Sequence, residues 1–94
     1  MDKRILIVDD VEFNIEFEKK VIKSLMNELG LNIQIDTANA VEEALDLIVK
    51  NDRYDAMVID MNLPDGSGVD IAKAALRKSE ETRIAALTIY PSKY

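Results

Sequence analysis

The sequence predicts an α/β fold in which parallel strands alternate with helices. Short apolar runs, rich in β-branched residues and flanked by charge, alternate with longer segments whose apolar residues recur at helical spacing. The first pattern is typical of strands buried on both faces, and the second is typical of amphipathic helices. Because the connections are short, the order β-α-β-α-β-α-β indicates one parallel sheet with right-handed crossover helices on its faces.

The first strand and the first helix occupy the amino-terminal third of the chain. Residues 4–10 (RILIVDD) contain a continuous apolar run that is flanked by charge and stops on two acids, which predicts a buried strand. The next helix is predicted over residues 11–29 and ends before Gly30, because glycine is favoured just beyond helix ends. Its apolar stripe has one residue in every four, broadened by three more: Phe13, Phe17, Val21, Leu25 and Leu29, with Ile15, Ile22 and Met26.

The rest of the chain continues the alternation. A second strand, a second helix, a third strand, a third helix and a fourth strand are predicted over residues 31–38, 40–50, 54–60, 68–78 and 82–90. Leu31, Ile33 and Ile35 alternate with polar residues, which favours a position near a sheet edge for the second strand. Asn39 is predicted to cap the second helix.

Length and composition restrict the class of protein. Ninety-four residues make a single domain, 1–94, and the net charge of -6 argues against nucleic acid or anionic membranes as direct partners. The absence of cysteine and histidine excludes disulfides, the usual zinc sites and Ser-His-Asp or Cys-His catalysis. There is no apolar run long enough to span a membrane and no signal-peptide pattern, so we expect a cytoplasmic protein.

Acids and a hydroxyl follow the predicted strands. Asp9 and Asp10 follow the first strand, Asp60 ends the third, and Thr88 lies near the end of the fourth. Ligands bind parallel sheets at the carboxyl ends of the strands, so three carboxylates would meet there if strands one and three are neighbours. Mg²⁺ would neutralise them, and Asp60 could then accept a phosphoryl group. Alternatively, each acid alone is an ordinary solvated strand end or a cap of the first helix.

These residues resemble a known family. The segments ILIVDD, MVIDMNLPDGSG and AALT are similar to motifs of the receiver domain of two-component response regulators, and the resemblance covers residues 3 to about 90. It implies a flavodoxin-like, three-layer parallel sheet with strand order 2-1-3-4-5. The middle segment is the most specific of the three, since an aspartate followed by this Pro-Gly loop is unusual elsewhere.

The resemblance implies a role for each of five residues. Asp60 resembles the phosphoacceptor, and Asp9 and Asp10 resemble the acidic pair that holds Mg²⁺, with Asp10 the more direct ligand. The backbone carbonyl of Asn62 resembles the third protein ligand, and Thr88 resembles the hydroxyl that bonds the phosphoryl group. The implied partner is a histidine kinase or a phosphotransfer protein, and the implied activity is that of a signalling phosphoacceptor rather than an enzyme.

The sequence also departs from the family pattern. It ends before the last helix-strand-helix portion, so the expected domain is truncated and lacks the family's strand-five lysine; Lys93 is expected to be a solvated tail residue. Ile89 follows Thr88 at a position where the family usually has a small residue, and its side chain would narrow the access to Asp60. We expect the uncovered face, with Phe13, Phe17 and Val21, to form a homodimer, because exposed edges and apolar faces favour association.

Other functions stay open at this point. The chain could be a phosphorylation-independent dimerisation or interaction module derived from a receiver, or a fragment of a longer response regulator. A Mg²⁺-dependent phosphatase would also use the acids, but the sequence offers no evident general acid for it.

Overall fold

A four-stranded parallel sheet with helices on both faces organises the chain. The computed structural model describes residues 2–51 and 53–87, except for the side chain of Leu87. The elements in chain order are β1 (Asp2–Val8), α1 (Glu12–Glu28), β2 (Asn32–Ala38), α2 (Val41–Lys50), β3 (Ala56–Asp60), β4 (Asn62–Leu63), β5 (Gly66–Ser67), α3 (Gly68–Lys78) and β6 (Arg83–Leu87).

The strand order is β2-β1-β3-β6, and every pair in this sheet is parallel. Val8, at the end of β1, is paired with Ala38 of β2 on one side and with Ile59 of β3 on the other. Asp60, at the end of β3, is paired with Leu87 of β6. The predicted α/β class, with its flavodoxin-like order of strands, is therefore confirmed for the four strands described.

Side chains of β1 alternate between two apolar layers. Leu6 and Val8 join the core formed with α2 and α3, whereas Ile5 and Ile7 pack with Ile15 of α1 on the other face. The sheet is thus the middle of three layers, as the resemblance implied. Because β1 is buried on both faces, its unbroken apolar run is explained.

Only part of the apolar stripe predicted for α1 faces the sheet. Ile15 is buried, and Ile22 packs partly against the same cluster, whereas Phe13 is 77% exposed and Phe17 is 60% exposed. A spacing of four residues exceeds the 3.6-residue helical turn, so such a stripe winds around the helix instead of staying over the sheet. We call the exposed row the α1 outer stripe; it comprises Phe13, Phe17, Val21, Leu25 and Leu29.

The segment after β3 folds into a short antiparallel hairpin that the sequence did not predict. Asn62 pairs with Ser67 and Leu63 pairs with Gly66, while Ser67 caps α3 by accepting a 3.1 Å hydrogen bond from the Val69 N–H. No helix in the described part of the chain is long and apolar enough to cross a membrane.

Candidate functional site

Three carboxylates meet at the carboxyl ends of β1 and β3. One carboxylate oxygen from each of Asp9, Asp10 and Asp60 lies within 4.8 Å of the others. The parallel pairing of β1 with β3 causes this, since it places the residues after Val8 beside the end of β3. The predicted meeting of the acids is therefore found.

Asp9 is the buried member of the group. It is 4% exposed, and its backbone N–H donates a 3.1 Å hydrogen bond to the Ala38 carbonyl of β2. Its carboxylate accepts a 2.9 Å bond from the Val11 N–H and a longer one, 3.4 Å, from Asn14 Nδ2. Asp9 therefore also fixes the start of α1, where Val11 has no capping oxygen of its own. Asp10, by contrast, is exposed.

Asp60 is the last residue of β3 and is partly buried. Its Oδ1 accepts a 3.0 Å hydrogen bond from the Asn62 N–H. Burial raises the pKa of Asp60, and the neighbouring charges of Asp9 and Asp10 add to the rise, although the Asn62 hydrogen bond opposes it. The site therefore concentrates negative charge that a cation would neutralise.

Gly68, which follows the hairpin, packs closely against the backbone of Asp60. A Cβ at this position would lie 2.6 Å from the Asp60 carbonyl oxygen and 2.6 Å from Ile59 Cγ2. The Gly68 N–H donates a 3.2 Å hydrogen bond to the Met61 carbonyl, which closes the base of the hairpin. Gly68 therefore lets the base of the hairpin lie against the backbone of Asp60.

Sequence reasoning missed Glu18 of α1. Burial raises the pKa of Glu18, and the negative charges of Asp9 and then Asp60 raise it further. Its Oε1 is buried and has no hydrogen-bond partner among the described residues. The signal was present in the sequence, because Glu18 lies three residues after Ile15 and four before Ile22, on the face that α1 turns to the sheet.

The donor set fits a hard divalent cation. Three carboxylates offer oxygen ligands, and burial, followed by the charges of Asp9 and Asp10, raises the pKa of Asp60, so a cation beside it would favour its ionised form. Asn62, whose backbone carbonyl is the predicted third ligand, lies two residues after Asp60 and is exposed. Thr88, together with Ile89 and Lys93, lies outside the described residues, so its predicted place at the site stays a prediction.

The comparison with protein families decides the assignment. The model of the response regulator receiver domain matches residues 5–93. The chain belongs to this family. Curated relatives of this receiver domain include the response regulator protein PilR of Pseudomonas aeruginosa, 34% identical over 92 residues, and the transcriptional regulatory protein CpxR of Escherichia coli, 33% identical over 88 residues. These matches cover 96% and 94% of the chain.

This receiver domain spans only a part of those relatives, 19% of PilR and 34% of CpxR. It is also 30% identical over 74 residues to the aerobic respiration control sensor protein ArcB of Escherichia coli, a match that covers 79% of the chain and 9% of ArcB. The relatives that match this receiver domain thus include both regulators and a sensor protein.

Solved structures agree with the fold. The response regulator TrrA of Thermotoga maritima, crystallised in complex with Mg²⁺-BeF, is 38% identical with a TM-score of 0.66. That match covers 94% of this receiver domain and 70% of the TrrA chain. A CheY-like receiver domain protein of Methanospirillum hungatei is 28% identical, with a TM-score of 0.68 and coverage of 99% and 69%.

Proposed function

We propose that this receiver domain is a phosphoacceptor that takes a phosphoryl group on Asp60, with Mg²⁺ bound by Asp9, Asp10, Asp60 and the backbone carbonyl of Asn62. One observation carries the proposal: the carboxylates of Asp9, Asp10 and Asp60 converge within 4.8 Å at the ends of adjacent strands. The likeness to TrrA, whose crystal contains Mg²⁺-BeF, supports the choice of metal.

The proposed reaction is a transfer from a phosphohistidine. An Asp60 carboxylate oxygen attacks phosphorus, the P–N bond breaks, and the imidazole leaves with the bonding electrons. The product is an acyl phosphate on Asp60. The Asn62 N–H holds Oδ1 of Asp60, and we assign the attack to Oδ2. Bound Mg²⁺ supplies positive charge that offsets the carboxylates and the transferring group. We assign Thr88 the role of bonding the transferred group.

The proposed phosphodonor is a histidine kinase or a phosphotransfer protein, and the proposed location is the cytoplasm. Membership of the receiver family supports both, and the match to a sensor protein, ArcB, supports the choice of phosphodonor. Under this proposal the domain is a substrate in signalling and turns over no small molecule. Neither nucleic acid nor membrane is proposed as a direct partner, in keeping with the net charge of -6.

Intact mass spectrometry tests the phosphoacceptor. The protein is incubated with a small acyl phosphate, with and without Mg²⁺, and compared with Asp60→Asn. We expect a gain of one phosphoryl group that requires both Mg²⁺ and Asp60. Asp70→Asn, which changes an exposed aspartate of α3, should gain the group as the unchanged protein does. A folded protein that gains nothing, or a folded Asp60→Asn that gains as much, would refute the proposal.

A second role, as a homodimer, is supported by the α1 outer stripe. Its five large apolar side chains are each half or more exposed, and exposed apolar patches are typical of association surfaces. Sedimentation equilibrium of the unchanged protein and of Phe17→Glu tests it. We expect the charge to weaken dimerisation, while Val49→Glu, at a position 78% exposed on α2, should leave it intact. A protein that stays monomeric at all concentrations tested would exclude this role.

A further inference from the structure

Helix α2 is capped by an aspartate that comes from the loop of the phosphoacceptor. Asp65 Oδ1 accepts a 2.7 Å hydrogen bond from the Val41 N–H, and Asp65 Oδ2 accepts a 3.1 Å bond from the Glu42 N–H. These bonds, first the one from Val41 and then the one from Glu42, hold the pKa of Asp65 below its usual range. One carboxylate thus binds two amides that a helix leaves free at its amino terminus.

The helix cannot supply this cap from its own cap position. Its N-cap residue is Ala40, which has no side-chain acceptor. Asn39, the predicted cap, is used elsewhere: its Nδ2 donates a 3.3 Å hydrogen bond to the Asp9 carbonyl, and its N–H donates to Glu43 Oε1 at 2.7 Å. The prediction of an Asn39 cap is therefore wrong, and Asp65 takes that place.

The hydrogen bonds of Asp65 join the hairpin to helix α2. Asp65 and Pro64 form the turn between β4 and β5, while Asn62 lies at the other end of the hairpin and binds Asp60. Gly66 approaches α2 closely, since a Cβ there would lie 3.4 Å from Val41 Cγ2. The far end of the hairpin is therefore held on α2 by two hydrogen bonds and by packing.

Helix α2 is itself tied to the acidic site. Its amino-terminal residues Val41 and Ala44 are buried in the core, and the preceding Asn39 bonds to the backbone of Asp9. A continuous path thus runs from Asp9 through Asn39 and α2 to Asp65, and back along the hairpin to Asp60. Both ends of the path are residues of the proposed phosphoacceptor site.

We propose that Asp65 is a positioning residue of the phosphoacceptor site: by capping α2 it holds the β4–β5 hairpin so that Asn62 presents its N–H to Asp60 and its carbonyl to Mg²⁺. The role of the metal in this inference rests on the proposed function. The position of the hairpin rests on the hydrogen bonds of Asp65. Asp65 touches neither the metal nor the phosphoryl group and acts only through Asn62.

The test uses two variants of Asp65 and one control. Asp65→Ala removes both acceptors, whereas Asp65→Asn keeps one oxygen for the Val41 N–H. Asp70→Asn, in the first turn of α3, removes an equal charge without touching α2. Mg²⁺ affinity is measured by calorimetry, and the amide chemical shifts of Val41, Glu42 and Asn62 are recorded by NMR without metal.

We expect Mg²⁺ affinity to fall about tenfold in Asp65→Ala, at the lower end of the losses seen when groups that orient metal ligands are removed. Asp65→Asn should lose less, and Asp70→Asn should stay within about twofold of the unchanged protein, since an exposed charge acts weakly through solvent. Without metal, the Asn62 amide should shift in Asp65→Ala together with those of Val41 and Glu42.

The results separate this inference from the proposed function. If the unchanged protein binds Mg²⁺ and a folded Asp65→Ala binds it equally well, the positioning role is refuted, even if the variant melts at a lower temperature. If the unchanged protein binds no Mg²⁺, the proposed metal site fails instead, and the metal-free Asn62 shift still decides the positioning role. If Asp65→Ala does not fold, Asp65→Asn supplies the same comparison.

Discussion

Tyr54 donates a 2.6 Å hydrogen bond from its phenol to Asp36 Oδ2. Tyr54 lies just before β3 and Asp36 lies in β2, so the bond links segments on either side of the central strand β1. The tyrosine is fully buried in the core, and burial, followed by the Asp36 carboxylate, raises the pKa of its phenol. The hydrogen bond therefore ties β2 to the segment that leads into β3, across β1.

Tyr54→Phe should lower the free energy of unfolding by about 1–2 kcal/mol, because Asp36 loses a donor while the ring stays in place. Chemical denaturation measures this change. The raised phenol pKa also means that the unfolded chain releases this proton at lower pH than the folded protein. Stability should therefore fall as the pH rises through the ordinary tyrosine range, and Tyr54→Phe should remove that part of the fall. An unchanged denaturation midpoint would contradict this account.

Glu18 should destabilise the metal-free protein when it is ionised. Because its pKa is raised in the folded state, the unfolded chain releases the proton first, and stability falls as the pH rises from the ordinary glutamate range upward. Glu18→Leu should raise the free energy of unfolding by about 1 kcal/mol at neutral pH, since it removes a buried oxygen without a described partner. Denaturation at acidic and neutral pH measures the effect; a lower stability in Glu18→Leu at neutral pH would refute it.

Gly68→Ala should damage both stability and the site. The added methyl group would press on the Asp60 carbonyl and on Ile59, and overpacking of this kind costs about 1–3 kcal/mol. Gly30→Ala is the control, since Gly30 has a φ of 71° but open space around it. Both variants should unfold more easily, but only Gly68→Ala should slow phosphoryl gain on Asp60 in the folded protein. Equal rates for the two folded variants would argue against the close packing.

Lys78 should stabilise the carboxyl end of α2. Its ammonium group donates to the Ile48 carbonyl at 2.5 Å and also to the Asn51 carbonyl. A cation is favoured at a helix carboxyl terminus, so Lys78→Gln should lower the free energy of unfolding by about 1 kcal/mol. The stability of this variant should also depend less on salt concentration than that of the unchanged protein. Lys73→Gln, at an exposed position on α3, should cost less. Denaturation at low and high ionic strength tests this; equal losses in the two variants would contradict the capping role.

Much of the fold could be predicted because the arrangement of apolar residues along a segment indicates its secondary structure. The unbroken apolar run of residues 5–8 lies within β1, and the helical spacing of residues 68–78 matches α3. The meeting of Asp9 and Asp60 followed from the rule that parallel strands gather their carboxyl ends at one edge. These inferences depend on patterns that are local or that the topology fixes.

What the sequence could not predict depends on contacts between distant residues. Asp65 caps α2 from 24 positions beyond Val41, so a search for a neighbouring cap selected Asn39 instead. Strands of two residues, such as those of the hairpin, have no period to detect. The exposure of Phe13 and Phe17 was expected in part, because the resemblance implies a further helix that would cover them; the spacing of four residues alone did not show which residues of α1 face the sheet.

The central position of β1 and β3 has a consequence for hydrogen exchange. These strands have neighbours on both sides, so local opening should reach their amides last, whereas the segments after them should open readily. Asp9 and Asp60 therefore lie where slowly exchanging strands join quickly exchanging loops. A metal ion or phosphoryl group held there would slow amide exchange mainly in these loops. The exchange rates of the loop amides, rather than those of the strands, would therefore report whether the site is occupied.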